Sequence, residues 1–499
     1  MNIIRNKKLS ILWMLLSIIL LIPAFPKLNW FLFAWFALIP FILVLHNIDK
    51  WKAFWYGWLA GVLFTGVIFR WLYPVAAEGY LAGLIIFSFS FALFSFITAY
   101  FYQKTNPGDY WIRLIFTPCA YILTAEYLKT LKPLGIACGL LYSSQYKFLP
   151  VLQIADIAGS FAVSWLIVFF NTFLAEIILL IYLKKKIKPA HLIIPPVIII
   201  LCIIYGFFKM NVDYRQGDPF KVSIIQPNIS QNIKWDKRYA DTTLIKLFGM
   251  TTRASFEKPD LIIWPETAVP DIYAPKSGLF IPVIRFAQLE NINLLTGGLY
   301  YENKGLYNAA FLIEPGKEDI QKYAKMRLFP MGEYNPLEGL LPKMKILEKI
   351  GRYKEGKDQT IFKAGEAKFP VLICFESVFS YISRDAVLKG ANALTVITND
   401  ELFRRTGAAE QHIALSLPRC IENRVYMVFA ANTGYSAFID PAGRVYEISG
   451  LFEEAALTNN IYLPNKESIF TRFGEWFLLL SLIVAMVLII IVIRKSRRC

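Results

Sequence analysis

Eight apolar runs, seven of them ahead of residue 209 and one at the far end, constrain this 499-residue chain more than any other feature. They cover about Leu9–Phe25, Asn29–Leu45, Phe54–Tyr73, Tyr80–Tyr102, Arg113–Leu128, Ile157–Leu183, His191–Phe208 and Trp476–Ile493. Each approaches the ~20 apolar residues that a helix needs to cross a bilayer core. The first run follows a basic stretch, Asn2 to Lys8, as a signal peptide would. No small-residue cleavage site follows it and further spans come at once, so it reads as a retained helix. The expected organisation is a membrane domain of seven transmembrane helices over residues 1–208, a folded domain over 209–472, and a C-terminal transmembrane helix with a basic tail over 473–499.

Charge supports the division. The formal net charge is +16, yet Lys209 to Arg472 holds 33 Lys and Arg against 30 Asp and Glu. The excess therefore flanks the apolar runs, the positive-inside pattern. A nucleic-acid surface would instead cluster basic residues on a folded domain, so nucleic acid is not an expected partner. Basic groups recur at alternate ends of the runs: Arg5 to Lys8, Lys50 and Lys52, Lys104 and Arg113, Lys184 to Lys188, and Arg494 to Arg498. Eight spans with both termini cytoplasmic put residues 209–472 outside the cytoplasm, and dropping Arg113–Leu128 from the count inverts that result. Glu126 falls within this run, either as a functional group or as an interfacial carboxylate beside Lys129. Pro195-Pro196 implies a kinked helix.

Six cysteines (Cys119, Cys138, Cys202, Cys374, Cys420, Cys499) show no regular spacing, so neither a disulfide framework nor a zinc site is suggested. Only Cys374 and Cys420 fall in the folded region. They could pair outside the cytoplasm, at the cost of Cys374 as a nucleophile. With three histidines in the chain, a Cys-His dyad or metal site there would have to use His412. No metal or cofactor is expected.

Between residues 209 and 472 short β-type runs alternate with helical ones. Strands are expected at Lys221–Gln226, Asp260–Trp264, Asn293–Tyr300, Ala309–Glu314, Pro370–Cys374, Ala393–Thr398, Tyr426–Ala431 and Ser436–Asp440. Helices are expected at Ala240–Glu257, Ile281–Asn291, Ser377–Leu388 and Ala409–Asn423. Such alternation predicts a layered α/β domain.

Three segments in it carry chemistry. Ile262-Ile-Trp-Pro-Glu266-Thr sets a carboxylate just after an apolar strand. Lys325-Met-Arg-Leu-Phe-Pro-Met-Gly-Glu333-Tyr sets an ammonium and a second carboxylate in a turn-rich loop. Pro370-Val-Leu-Ile-Cys-Phe-Glu376 ends a strand at a thiol. A thiol needs a base to react at neutral pH. A carboxylate desolvated beside Trp264 has its pKa raised towards that range. A lysine would stabilise the thiolate and a developing oxyanion. Taken singly, Glu266 also reads as a cap or ion-pair partner, Lys325 as a solvated charge, and Cys374 as an ordinary core cysteine.

Together and in this order, Glu266, Lys325 and Cys374 resemble the Glu-Lys-Cys triad of the nitrilase superfamily. The membrane spans narrow the resemblance to its apolipoprotein N-acyltransferase branch. Further matches are Val222 through Trp235-Asp, Ile397-Thr-Asn-Asp400, Glu410-Gln-His412, Gly159 to Asn171 and Phe473-Gly-Glu-Trp476. The resemblance implies an αββα nitrilase-like domain on the outer side of a bacterial cytoplasmic membrane. It also implies acyl transfer from a phospholipid, through a Cys374 thioester, to the α-amine of a diacylated apolipoprotein. By the same resemblance Glu266 is the general base, Lys325 stabilises the tetrahedral intermediate, Glu333 and Glu376 support the site, and Trp235 binds or positions substrate. A monomer embedded in the lipid bilayer is expected, with the apolar loop Leu337–Leu347 either dipping into the interface or packing normally. A membrane-tethered amidase or lipid hydrolase of the same superfamily is the alternative.

The chain departs from the family pattern after Asp400, where Glu401-Leu-Phe-Arg-Arg405 replaces a small residue followed by Trp and an aromatic. Arg404 and Arg405 there are either lipid-phosphate ligands or a solvated pair. Phe375 stands where tyrosine is common, and Pro133-Leu-Gly-Ile lacks the usual aromatic-proline-tryptophan pattern.

Overall fold

A computed structural model describes the chain except for residues 1–6, 76, 107, 134, 274–277, 331, 336–352, 465–466 and 499. The chain divides into two units, residues 1–211 with 473–499, and residues 212–472.

In the first unit, among the described residues, four helices are long and apolar enough to cross a membrane: Gly79–Gln103, Ser160–Tyr182, Pro189–Met210 and Trp476–Ser496. The other apolar runs fold as shorter or interrupted pieces. Lys7–Leu21 ends in a 3-10 turn, Ile22–Ala24, that contains Pro23. A 3-10 turn, Phe31–Trp35, precedes the short helix Ile39–Leu45, whose first turn holds Pro40. Lys50–Ile68 is a single helix of 19 residues. Tyr110–Ala120 contains Pro118 and passes into a π-type turn, Tyr121–Glu126. Proline removes a backbone donor and crowds the preceding turn, so such runs do not continue as regular α-helix. Pro195 and Pro196 nevertheless lie inside one helix, Pro189–Met210. Glu126 is fully buried and accepts the Leu141 N–H, while the Lys129 ammonium lies 4.6 Å from the Phe91 ring centroid.

The second unit is built on two large sheets and a small two-stranded one. In chain order its strands are β1 (Phe220–Gln226), β2 (Leu261–Ile263), β3 (Ile272–Tyr273), β4 (Leu294–Glu302), β5 (Gly305–Ile313) and β6 (Gln321–Ala324). They continue with β7 (Phe362–Ala364), β8 (Ala367–Phe369), β9 (Val371–Ile373), β10 (Ala393–Thr398), β11 (Tyr426–Ala431), β12 (Ala437–Ile439), β13 (Val445–Ile448) and β14 (Ala455–Ile461). The first sheet runs β14-β1-β2-β4-β5-β6 with β3 beside β4, and the second runs β13-β12-β11-β10-β9. β1, β2 and β4 are parallel, as are β9, β10 and β11. Parallel neighbours need crossovers, and the crossovers are the helices Ala240–Ser255, Phe280–Leu289, Ser380–Leu388, Ala408–Ser416 and Pro418–Asn423.

The period of two along each strand sorts its side chains to two faces. Val222, Ile224, Ile263, Leu295 and Leu312 of the first sheet meet Val371, Ile373, Ile397, Val428 and Phe438 of the second in one core. The opposite face of the first sheet, with Ile225, Ile262, Trp264 and Phe311, packs on Leu244, Leu247, Phe280 and Val283 of the helices Ala240–Ser255 and Phe280–Leu289. Leu394, Val396, Met427 and Phe429 alternate with the inter-sheet residues and are also buried, so the second sheet is covered on both faces. The layers are helix, sheet, sheet, helix. Each fully buried Leu, Ile or Val contributes roughly 1.5–3 kcal/mol to this core.

Two expected helices are displaced. The helix after Cys374 begins at Ser380, because Cys374–Val378 forms a 3-10 turn and Phe379 is extended. Ala408–Ser416 and Pro418–Asn423 are separate helices, divided where Pro418 lacks an N–H. Leu337–Leu347 lies outside the described residues.

Candidate active site

The site is assembled from the ends of strands and the loops that leave them. β2 ends at Ile263, and Trp264 is fully buried with its indole N–H donating to Thr251 Oγ1 at 2.8 Å. Pro265 then turns the chain, and Glu266 follows. Its Oε1 accepts from Asn308 Nδ2 of β5 at 2.7 Å, and its Oε2 accepts from the Asn399 backbone N–H, just past β10, at 2.9 Å. Burial nonetheless drives the Glu266 pKa above its ordinary value, with Glu333 pushing the same way and Lys325 and Lys234 opposing.

Lys325 follows β6 and is 1% exposed. Its backbone N–H donates to the Asn308 carbonyl at 2.9 Å. Its Nζ lies 2.9 Å from both carboxylate oxygens of Glu333 and 3.7 Å from Glu266 Oε1. Burial opposes the charged form, but the two carboxylates outweigh it and hold the Lys325 pKa above the ordinary lysine value. Glu333 is itself held by the Phe329 N–H at 2.8 Å and by Asn308 Nδ2 at 3.1 Å. Asn308 thus donates to both carboxylates that flank Lys325.

Cys374 sits where β9 ends, with φ of +53°. A non-glycine residue in the left-handed region stores strain, and such positions cluster at functional sites. Burial, the Glu266 charge and Asp400 raise the thiol pKa, while Lys325 and a hydrogen bond with Thr398 lower it. The charges of Glu266 and Lys325 therefore act on this thiol. Its carbonyl accepts from Ser377 Oγ at 2.9 Å and lies 3.1 Å from His412 Nε2. His412 Nδ1 lies 3.3 Å from Asp400 Oδ1. His412 meets the cysteine through its backbone, so the arrangement differs from a Cys-His dyad. Cys374 and Cys420 are both free thiols, so they do not pair.

Glu376 is taken up by donors of the adjoining segments. Its Oε1 accepts from Tyr323 Oη at 2.8 Å, the Met326 N–H at 2.7 Å and the Arg327 N–H at 3.0 Å, and its Oε2 accepts from the Ile373 N–H at 2.8 Å. Burial pushes its carboxyl up to about 7, against these donors and Lys325. Trp235, 44% exposed, follows the short helix Gln231–Lys234. That helix is tied to the centre, because Lys234 Nζ donates to the Glu266 carbonyl at 3.0 Å and Asn399 Nδ2 donates to Gln231 Oε1 at 3.3 Å. Among the described residues, no cluster of His, Cys, Asp and Glu could hold a metal ion.

Residues 221–468 match the carbon-nitrogen hydrolase family, and residues 17–173 match the apolipoprotein N-acyltransferase N-terminal domain. An apolipoprotein N-acyltransferase of Geobacter metallireducens is 32% identical over 479 residues, covering 93% of this chain and 91% of that relative. One from Methylococcus capsulatus is 30% identical over 476 residues, 92% of this chain and 91% of the relative. The chain belongs to the apolipoprotein N-acyltransferase family. Among solved structures, Saccharomyces cerevisiae Nit3 of the nitrilase superfamily aligns with a TM-score of 0.39 at 18% identity, over 50% of this chain and 92% of that one.

For an N-acyltransferase the centre supplies a thiol, a carboxylate with a raised pKa and a buried ammonium, the groups that covalent acyl transfer requires. Of the six site residues read from sequence, Glu266, Lys325 and Glu333 are joined by an ion pair and hydrogen bonds, and Cys374 is near enough for the charges of Glu266 and Lys325 to bear on its thiol pKa. Glu376 braces their loops, and Trp235 follows a segment bonded to Glu266. Sequence reading missed Asn308, Asn399 and Lys234. Asn308 left a signal, a lone polar side chain inside the apolar β5 run Gly305-Leu-Tyr-Asn-Ala-Ala-Phe-Leu-Ile.

Proposed function

We propose that this N-acyltransferase moves a fatty acyl group from a phospholipid to the α-amine of the diacylglyceryl-cysteine at a lipoprotein N-terminus, with Cys374 as the carrier. The observation that carries this reading is the buried Lys325 ammonium between Glu266 and Glu333, with its charge and that of Glu266 both acting on a thiol at a strained strand end.

In the first half-reaction Glu266 takes the Cys374 proton and the sulfur attacks the ester carbonyl of the phospholipid. Lys325 stabilises the resulting oxyanion. The lysophospholipid leaves as an alcohol, taking the proton back from Glu266, and a thioester remains. In the second, Glu266 takes a proton from the attacking α-amine, and the collapsing intermediate returns the thiol, reprotonated by Glu266. Each carbonyl addition is easier than direct attack of an amine on an ester, which is the benefit of a covalent carrier. The scheme uses no metal or cofactor. Glu333 fixes the Lys325 ammonium, Glu376 braces the two loops, and Trp235 contacts a substrate.

The catalytic unit, residues 209–472, is assigned to the outer side of the bacterial cytoplasmic membrane. Residues 1–208 form a seven-span domain and residues 473–499 return through the bilayer to a basic cytoplasmic tail. This topology rests on the apolar runs and their basic flanks, and the enzyme acts as a monomer in the lipid bilayer.

The test uses the full-length enzyme with phospholipid vesicles and a synthetic diacylated lipopeptide. Intact-mass analysis should find an acyl adduct on Cys374 without the lipopeptide, and a triacylated peptide with it. Wild-type transfer by Cys374→Ser overturns the mechanism. Release of fatty acid with no triacylated product identifies a lipid hydrolase instead.

A further inference from the structure

Lys234 is an ammonium for which the catalytic scheme above has no use. It closes the short helix Gln231–Lys234, directly ahead of Trp235, and is only 3% exposed. Lysine is almost never fully buried unless paired, and a lysine ammonium carries three donors. Here one donor reaches the Glu266 backbone carbonyl at 3.0 Å, and among the described residues that carbonyl is its single hydrogen-bond acceptor. A buried cation this poorly satisfied is costly for the fold, and it borders the base of the acyl-transfer centre.

The surrounding contacts show what this arrangement does. Residues 228–235 leave β1 as a loop with further ties that lead to the centre. Asn432 binds both the N–H and the carbonyl of Ile229, at 3.0 and 2.8 Å, and donates to Asn399 Oδ1 at 3.0 Å. Asn399 in turn holds Gln231 through its side chain and Glu266 through its backbone N–H. The Trp235-bearing segment is therefore fastened to Glu266 twice, once through Asn399 to the carboxylate and once through Lys234 to the carbonyl. The second tie brings a positive charge with it.

We infer that Lys234 is a positioning residue for acyl transfer: its ammonium pins the Trp235-bearing segment to the backbone of Glu266 and sets a second positive charge beside the base. The inference rests on the reading of Glu266 as that base. The charges facing Glu266 are Lys325 and Lys234, which favour its carboxylate, and Glu333, which opposes it. The Tyr353 phenol and the Cys374 thiol also feel Glu266. Lys234 faces Glu266 and Glu401, and burial lowers its pKa to about 8 against both. Near neutral pH the ammonium form predominates, so the second charge is present there.

The experiment measures the rate of Cys374 thioester formation in the full-length enzyme with phosphatidylethanolamine vesicles, between pH 5 and 9, without an acceptor. Lys234→Met should lower the rate at least tenfold. It should also move the acid limb up by about 1 pH unit, the scale set by losing one neighbouring opposite charge. Lys234→Arg should return the limb to the wild-type position even at reduced amplitude. A residue that only stabilises the fold would change amplitude and leave the limb in place. A Met variant whose limb overlays the wild type, or an Arg variant that does not restore it, overturns the assignment. Lys234→Gln, which keeps a donor for the carbonyl without the charge, is read in the same way should the Met variant fail to fold. Absence of thioester in the wild-type control overturns the acyl-transfer reading itself. Wild-type thioester with an unmoved variant limb overturns the Lys234 assignment alone.

Discussion

Glu376 Oε1 accepts the backbone N–H of Met326 at 2.7 Å, so the loop that carries Lys325 is bolted to the turn that carries Cys374. The same carboxylate holds the Arg327 N–H and the Ile373 N–H, on either side of the gap between the two segments. A glutamate two residues past a thiol invites a catalytic role, but this one accepts from three backbone N–H groups and the Tyr323 phenol, donors that fix the surrounding loops.

Glu376→Gln should therefore fail although it preserves shape. Its amide nitrogen must face either the Ile373 N–H or the donors that converge on Oε1. Each buried donor left without an acceptor costs about 1–3 kcal/mol. The expected outcome is a lowered melting temperature together with at least a tenfold loss of thioester formation. Wild-type values for both would show that Glu376 does not brace the loops.

The pH dependence follows from two raised groups. Burial lifts Glu266 above the ordinary glutamate value of 4.5. A base must be deprotonated, so the rate should fall as pH drops through the raised value, above 4.5. Cys374 is lifted above 9.0, so the resting thiol stays protonated at neutral pH. Alkylation by iodoacetamide should be slow at pH 7 and rise continuously with pH. Lys325 is among the influences that lower the Cys374 value, so Lys325→Met should slow alkylation further. Faster alkylation in that variant would mean the ammonium does not act on the thiol.

Much of this architecture was legible in the chain. Strands such as Ala393–Thr398 and Tyr426–Ala431 lie where the apolar, β-branched runs put them, because they are buried on both faces and cannot dilute their pattern with polar residues. β14 was not legible. Its sequence, Ala-Ala-Leu-Thr-Asn-Asn-Ile, has weak strand preference, and it is extended because it pairs with β1 from Phe220↔Ile461 to Gln226↔Ala455. The thiol, the carboxylate and the ammonium stood out through their order along the chain, which resembles a family triad, whereas each taken singly also read as ordinary structure. Lys234 did not stand out, since its partner is a backbone carbonyl, and every residue has one. The start of the helix after Cys374 was misplaced by three residues because the Glu376 side chain competes for the Ile373 N–H and sets a 3-10 turn first.

Asn308 joins the two carboxylates, and changing its charge should matter more than shortening it. Its Nδ2 reaches Glu266 Oε1 at 2.7 Å and Glu333 Oε1 at 3.1 Å. Asn308→Ala removes two hydrogen bonds to charged groups, each worth about 1.5–3 kcal/mol. Asn308→Asp replaces them with a third carboxylate facing the other two, which like-charge repulsion drives to protonate or to move apart. Thioester formation should fall about 10²-fold in the alanine variant and further in the aspartate variant. An aspartate variant more active than the alanine variant would contradict this electrostatic account.

Gly297 on β4 leaves room for the backbone of the base. A Cβ at this position would sit 2.5 Å from the Thr267 nitrogen and 2.7 Å from Glu266 Cα, both backbone atoms. The backbone there has little freedom to yield. Thr267 already has φ of +46°, and the Gly297 N–H is committed to the Pro265 carbonyl at 3.2 Å. Gly297→Ala should thus displace Glu266 from Asn308, Asn399 and Lys325 at once, and a 1 Å misplacement of a catalytic group costs about 10²-fold in rate. Gly249, exposed in the helix Ala240–Ser255 with nothing within 4 Å of its would-be Cβ, is the control. Gly249→Ala should leave acylation unchanged and raise stability by about 0.5–1 kcal/mol, the usual gain in a helix interior. The two variants add the same methyl group. Equal acylation rates in the pair would mean that the Glu266 backbone is not held against β4.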